Sequence, residues 1–280
     1  MIDAHQHYWQ IERGDYGWLT PDLAVLYRDY LPQELQRTLA ECGVTGTVAV
    51  QAAPTEAETR FLLDLARRHA SIVGVVGWVD FEAHDVAQRI AALVTDGDGL
   101  LKGLRPMVQD IADPAWLGRD ALDRAFAVLT ERDLVFDALV TPLHLEILER
   151  RLRRHPTLRC VIDHAGKPAA GEGALARWSA RMQSLAENTS AYCKLSGLLT
   201  QFTAAATPEL LEPYVSRVFA YFGPDRLIWG SDWPVLALRA SYREWLDLSL
   251  QLIQIHAPQA SDAILEGNAR RVYRLGRAPE

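Results

Sequence analysis

The chain is poor in cysteine: three in 280 residues, an odd number with no C-x-x-C spacing. No disulfide framework follows from that. Cys160 and Cys193 lie in apolar, strand-like runs, and with Cys42 they read as reduced, buried, small apolar residues of a cytoplasmic protein rather than as catalytic thiols. No apolar run approaches the roughly 18 residues of a membrane span, and no basic stretch followed by an apolar one marks a signal peptide. Positive charge is not in excess. Lysine and arginine number 29 against 36 aspartates and glutamates, a net charge of −7, which argues against nucleic acid or an anionic membrane as partner. Neither G-x-G-x-x-G nor a P-loop stands at any strand end. There is no composition break, long linker or low-complexity tract. The remainder, 49% hydrophobic and 23% charged, is ordinary globular material with ample core.

What is present is a rhythm. Short apolar runs at residues 2–7, 44–53, 72–80, 100–107, 134–140, 158–166, 191–198 and 226–234 read as strands. Between and after them, amphipathic patterns read as helices: Pro32 to near Gly43, 56–69, a stripe through Val86, Ile90 and Leu93, then 122–131, 143–154, 175–187, 208–222, 241–256 and 261–273. Eight strands alternating with helices predict a single-domain (β/α)8 TIM barrel spanning residues 1–280, with an extra C-terminal helix. The near-continuous apolar runs suit parallel strands covered on both faces. Residues Tyr8 to about Tyr30 break the rhythm; Gly14, Gly17 and Pro21 make them a long loop, and their aromatics predict a packed lid. Glu149 to Arg154, with four arginines, reads as a solvated helix face.

Barrel chemistry collects at the C-terminal ends of the strands. There the sequence offers His5 and His7, Gln51, Trp78 with Asp80, Arg105, Asp137, Asp163 with His164, Ser196, and Asp232 with Trp233. Side chains alternate along a strand, so His5 and His7 share a face. Strands one and eight meet when a barrel closes, which brings Asp232 to them, while His164 approaches from across the mouth. These four could supply the ligands of one divalent ion, zinc for preference, leaving a position open for water. Other readings stand beside this one. His164 could be a satisfied core histidine, Asp232 a helix cap, and Asp163 a salt-bridge residue turned away from His164 by alternation. Arg105 could pair with Asp137. Lys167 could reach substrate or only solvent, and Trp9, Trp18, Trp78 and Trp233 could serve packing alone or the C–H face of a sugar.

His5-Gln6-His7, Val161 to Pro168 and Trp229 to Pro234 together resemble the amidohydrolase superfamily over essentially the whole chain, most closely its amidohydrolase-2-type lactonase branch. His5-Gln6-His7-Tyr8-Trp9, with Gly14 to Leu19, is similar to the L-fuconolactonase-like members. The resemblance implies a metal site of His5, His7, His164 and Asp232, with Asp232 as general base, His164 as a second catalytic residue and Arg105 as the substrate-contacting arginine of strand four. One departure counts against a binuclear site. With Arg105 inward, alternation turns Lys102 outward, and strand five offers Asp137 rather than a histidine; some members of the branch work without metal. The expected activity is hydrolysis of a neutral sugar lactone, because Gln51, Asp80 and Asp137 suit hydroxyls while Arg105 is a single strand-end arginine. Trp9, Trp78, Lys167 and Trp233 complete the expected substrate contacts. A dicarboxylate-lactone hydrolase, an amide hydrolase or non-oxidative decarboxylase, and a non-catalytic sugar-binding barrel are the alternatives.

Overall fold

In the computed structural model, which describes residues 1–169, 171–202 and 207–276, eight parallel strands follow one another around a sheet in sequence order. They are β1 (Ile2–Gln6), β2 (Gly46–Val50), β3 (Ile72–Gly77), β4 (Leu101–Leu104), β5 (Val135–Ala138), β6 (Cys160–Ile162), β7 (Tyr192–Leu195) and β8 (Leu227–Trp229). Closure comes from the residues just past β8: Asp232 N donates to His5 O and His7 N to Trp233 O, each at 2.7 Å. The seam of the (β/α)8 barrel is therefore sewn at the end where β1 and β8 carry their polar residues. The sixth apolar run stops being a strand earlier than its composition predicts, at Ile162, because His164 and Ala165 adopt left-handed backbone with φ of 53° and 50°.

Helices α1 (Pro32–Glu41), α2 (Glu56–Arg68), α3 (Val86–Gly97), α4 (Asp123–Glu131), α5 (Leu145–Arg154), α6 (Ala174–Asn188), α7 (Pro208–Phe222) and α8 (Tyr242–His256) surround the sheet. Ser241 and Glu244 close a reciprocal capping box at the start of α8. The lower interior is filled by Ile2, Ala4, Val48, Val50, Val135 and Ile228 among others, and Val272, Tyr273 and Leu275 join them from below. The extra C-terminal helix, α9 (Asn268–Tyr273), is thus the plug of the barrel floor. This buried layer leaves only the upper end of the barrel open for chemistry.

The long loop after β1 is tied down as a lid. Trp9 and Tyr30 exchange backbone hydrogen bonds of 2.9 and 3.0 Å. Trp9, Tyr16, Leu19, Leu26 and Tyr30 pack with Ala52 and Ala53 into a separate apolar cluster. Two expectations need correction. The run at Glu149 to Arg154 is not wholly solvated: Arg151 is buried, its guanidinium donating to Leu117 O, Arg119 O and Asp123. Glu149 is buried with it, accepting from Ser184 and Asn188. Of the cysteines, Cys160 and Cys193 are buried but Cys42 is only half so.

Beneath the lid, Glu58 of α2 holds the turn after β2. Its carboxylate accepts from Ala52 N at 2.9 and 3.0 Å and from Ala53 N at 2.6 Å. Burial pushes this carboxyl up to about 8, against the pull of those backbone donors. In the unfolded chain it titrates near 4.3, so the folded state binds the extra proton between these values. Stability from this group is present below about pH 4 and declines as pH rises towards 8. Glu58→Gln, fixed as neutral, is expected to flatten that decline; urea melts of both proteins between pH 5 and 8 measure it, and parallel slopes would refute it.

Candidate active site

Four side chains meet at the closure seam. The β1–β2 register breaks between Asp3 and Gln6, which lets His5 face inward one residue after the inward-facing Ala4. His7 Nε2 then lies 3.3 Å, His5 Nε2 3.7 Å and His164 Nε2 3.8 Å from one oxygen, Asp232 Oδ1. All four residues are buried. Asp232, His164, Ala165 and Lys167 each have positive φ without being glycine. Left-handed backbone at such residues costs roughly 1–3 kcal/mol each; here it turns side chains off the strand ends towards a common point. Asp232 is no helix cap, since the helical turn Val235–Leu238 receives no side-chain cap.

The donor chemistry fits a divalent cation. His7 Nδ1 donates to Val50 O at 2.7 Å, which fixes the ring with Nε2 towards the Asp232 carboxylate. His164 Nδ1 is 2.9 Å from Ser196 Oγ. Burial lowers His164 to about 4 and holds His5 well below the usual imidazole range, so both are neutral at pH 7. Burial alone would raise Asp232, but the surrounding histidines outweigh it and keep the carboxylate ionised. Lone pairs of neutral imidazoles facing an ionised oxygen call for a cation between them. Ligands about 2.0–2.2 Å from a tetrahedral ion stand roughly 3.3–3.6 Å apart, close to the spacing observed. His5, His164 and Asp232 can each bring a ligand atom within 4.8 Å of the other two.

Below this group runs a polar network that strand-end reasoning did not assemble. Arg105 is buried, donating through Nε and Nη2 to Gln51 Oε1 at 3.1 and 2.9 Å, through Nη2 also to Gln51 O, and through Nη1 to Asp163 Oδ2 at 3.2 Å. Gln51 is buried, with its side-chain oxygen on Arg105 and its amide on Ala53 O, and it does not line the mouth cavity. Arg105 pairs with Asp163, not Asp137. Asp163 also approaches His5 Nδ1 at 3.3 Å and Lys194 Nζ at 3.0 Å. It points to the same axis as His164, because the left-handed backbone at His164 cancels the alternation expected of a strand. Lys194 went unnoticed in the sequence; a lysine between Cys193 and Leu195 in an apolar strand was the available signal. Asp137 is not at the mouth. It is fully buried one layer down, paired with Lys194 Nζ at 2.6 Å and accepting from Tyr273 OH at 2.8 and 2.9 Å.

The mouth is a cavity of about 200 Å³ lined by His7, His164, Asp232, Arg105 and Lys167. Lys167 donates to Gln109 Oε1 at its rim. Trp9 is not exposed there: it is wholly buried in the lid cluster, its indole donating to Arg28 O at 2.7 Å. Trp233 is half-buried and packs edge-on against Tyr8 and Tyr30. Trp78 and Asp80 line an adjoining cavity instead. Gly197 backs His164 so closely that a Cβ there would stand 2.3 Å from Nδ1, and its φ is +60°. Gly197→Ala is expected to displace the imidazole and cut turnover about tenfold or more, a shift of 1 Å sufficing for such losses. Turnover at the parent rate would show that His164 can give way at no cost.

Fold and site together define a barrel hydrolase of the kind that gathers histidines and a carboxylate at the strand ends. The amidohydrolase family profile matches residues 2–275. An L-fucono-1,5-lactonase of Burkholderia ambifaria is 45% identical, over 99% of this chain and 96% of its own; one of Burkholderia multivorans is 38% identical, over 98% and 96%. A crystal structure of a B. multivorans amidohydrolase with bound zinc superposes with a TM-score of 0.91 at 37% identity, covering 98% of this chain and 99% of that one. The chain belongs to the amidohydrolase family.

Proposed function

We propose that this chain is a lactonase, opening a neutral sugar lactone of the L-fucono-1,5-lactone type to its aldonic acid. The observation that carries the reading is the ionised Asp232 carboxylate facing His5, His7 and His164 at the floor of a ring-sized cavity, in a chain 45% identical to an L-fucono-1,5-lactonase. Water beside Asp232 loses its proton to the carboxylate as it attacks the ring carbonyl. Charge gathering on the carbonyl oxygen is met by Arg105, which Gln51 and Asp163 hold in place, or by Lys167. As the tetrahedral centre collapses, protonated Asp232 returns its proton to the leaving ring oxygen. A divalent ion, zinc by analogy with the relative, held by His5, His7, His164 and Asp232, would acidify the attacking water and polarise the carbonyl.

A dicarboxylate lactone is disfavoured, because among the described residues the mouth is lined by Arg105 and Lys167 alone as cations, of which Arg105 is already ion-paired with Asp163, while Asp110 and Asp232 line it too. No helix among the described residues is long and apolar enough to cross a membrane; we place the reaction in the cytoplasm, on a small molecule, with neither nucleic acid nor membrane as partner. The test is proton release, followed with a weakly buffered indicator, over a panel of sugar lactones and dicarboxylate lactones with spontaneous opening subtracted. Stereoselective opening of fucono- or galacto-configured lactones is expected. Chelation by dipicolinate should abolish it and one equivalent of zinc restore it. Silence across the panel in zinc-loaded protein would transfer the reading to an amidase or decarboxylase.

A further inference from the structure

Beside the mouth lies a larger cavity of about 490 Å³, and the two share Trp18, Met107 and Asp110 as common wall. The ring-opening chemistry leaves it unused. Its walls include three tryptophans, Trp18, Trp78 and Trp116. Two are fixed through their indole N–H groups, Trp18 to Ala52 O at 2.8 Å and Trp116 to Glu82 Oε2 at 2.9 Å, which leaves apolar ring carbon to the cavity. The charged groups lining it among the described residues are carboxylates, those of Asp15, Asp80, Glu82 and Asp110. Asp15 Oδ1 is buried and has no hydrogen-bond donor among the described residues. Rigid aromatic carbon with acceptor-only carboxylates matches a ring that has one C–H face and many hydroxyl donors. It repels an anion.

We propose that the outer cavity is a second sugar subsite, which takes the neutral glycosyl ring of a disaccharide aldonolactone whose lactone ring occupies the mouth. This rests on the lactonase reading and extends it from one ring to two. The shared wall gives the geometry: a ring stacked by Trp18 is next to the cavity that holds Arg105 and Asp232. Binding energy gathered on the remote ring can be spent at the reacting carbonyl, raising kcat/KM.

The test compares galactonolactone with its O-glycosyl derivatives, and gluconolactone with cellobiono-, lactobiono- and melibionolactone, counting only pairs whose single-ring parent is opened. At least one disaccharide lactone is expected to exceed its parent in kcat/KM by about tenfold. Ile111→Arg, which places a long cationic side chain in the outer cavity alone, should erase that advantage while leaving the single-ring lactone as it was. Disaccharide lactones opened no faster than their parents would overturn the subsite while leaving the lactonase reading intact. If no lactone of either size is opened, the lactonase reading has failed, and the subsite is judged by tryptophan fluorescence titration with the same disaccharide acids. Quenching lost in Ile111→Arg supports it, and an unchanged spectrum overturns it.

Discussion

Asp232→Asn is expected to lower kcat about 10²–10⁴-fold, the usual worth of a positioned general base, in a protein that still folds but melts below the parent temperature. The two halves of that expectation have separate causes. Asparagine keeps the shape and one acceptor oxygen but cannot take the water's proton. The carboxylate it replaces is buried and ionised, and burying a charge is costly unless it is paired. Asp232 is paired: the surrounding histidines outweigh burial and hold its carboxyl below the usual range, so at neutral pH removing the charge gives up more attraction than penalty. The measurement is kcat on the best lactone, with zinc content and a thermal melt of the same samples. A fall in kcat at full zinc occupancy assigns the loss to proton transfer; a fall in step with lost zinc assigns it to ligation. Near-normal turnover in the folded variant would end the assignment of Asp232 as base.

The residues that meet at Asp232 could be placed from the chain alone because each stands where a short apolar run ends, and a barrel puts all such ends at one mouth. His5, His7 and His164 were separable from the other five histidines on that ground. The alternation of β1 was enough for the His5–His7 pair, since both rings face the Asp232 carboxylate despite the break in register between Asp3 and Gln6. What could not be read was depth and local handedness. Asp137 and Asp163 look alike as polar residues near strand ends, yet one belongs to a layer beneath the other. The strand stagger that separates them is a property of the closed sheet. The turn of His164 off the strand depends on a positive φ that is uncommon outside glycine, and Gly197, which makes room for the ring, sits on another strand's exit. Gln51 was placed correctly in space but was already committed to Arg105. Trp9 was expected at the mouth and is buried under the lid because the loop folds back through Tyr30.

Lys194→Met is the second large effect, and it falls on stability. Lys194 is fully buried with Asp137 at 2.6 Å, Asp163 at 3.0 Å and His5 Nδ1 at 3.2 Å. Removing one partner of a buried ionic group leaves the others uncompensated, at a cost of roughly 3–5 kcal/mol. Methionine fills most of the lysine's stem volume, so the cost is electrostatic and not a cavity. Asp163 retains Arg105 and His5, whereas Asp137 keeps only the Tyr273 hydroxyl among its bonded partners here. Burial already raises the Asp137 carboxyl above the ordinary range against the pull of Lys194; without that pull it rises further. A raised carboxyl favours the folded state at low pH and loses that contribution as pH climbs past the unfolded value of about 3.9. The deficit of Lys194→Met should therefore be smallest near pH 5 and grow towards pH 8. Adding Asp137→Asn removes the stranded charge while leaving the Tyr273 hydroxyl an amide oxygen to donate to, and should recover a large part of the loss at pH 8. Urea melts of the parent, the single and the double variant at both pH values decide it. A single variant as stable as the parent, or a double variant no better than the single, would mean that the lysine is not what compensates the carboxylates of the barrel interior.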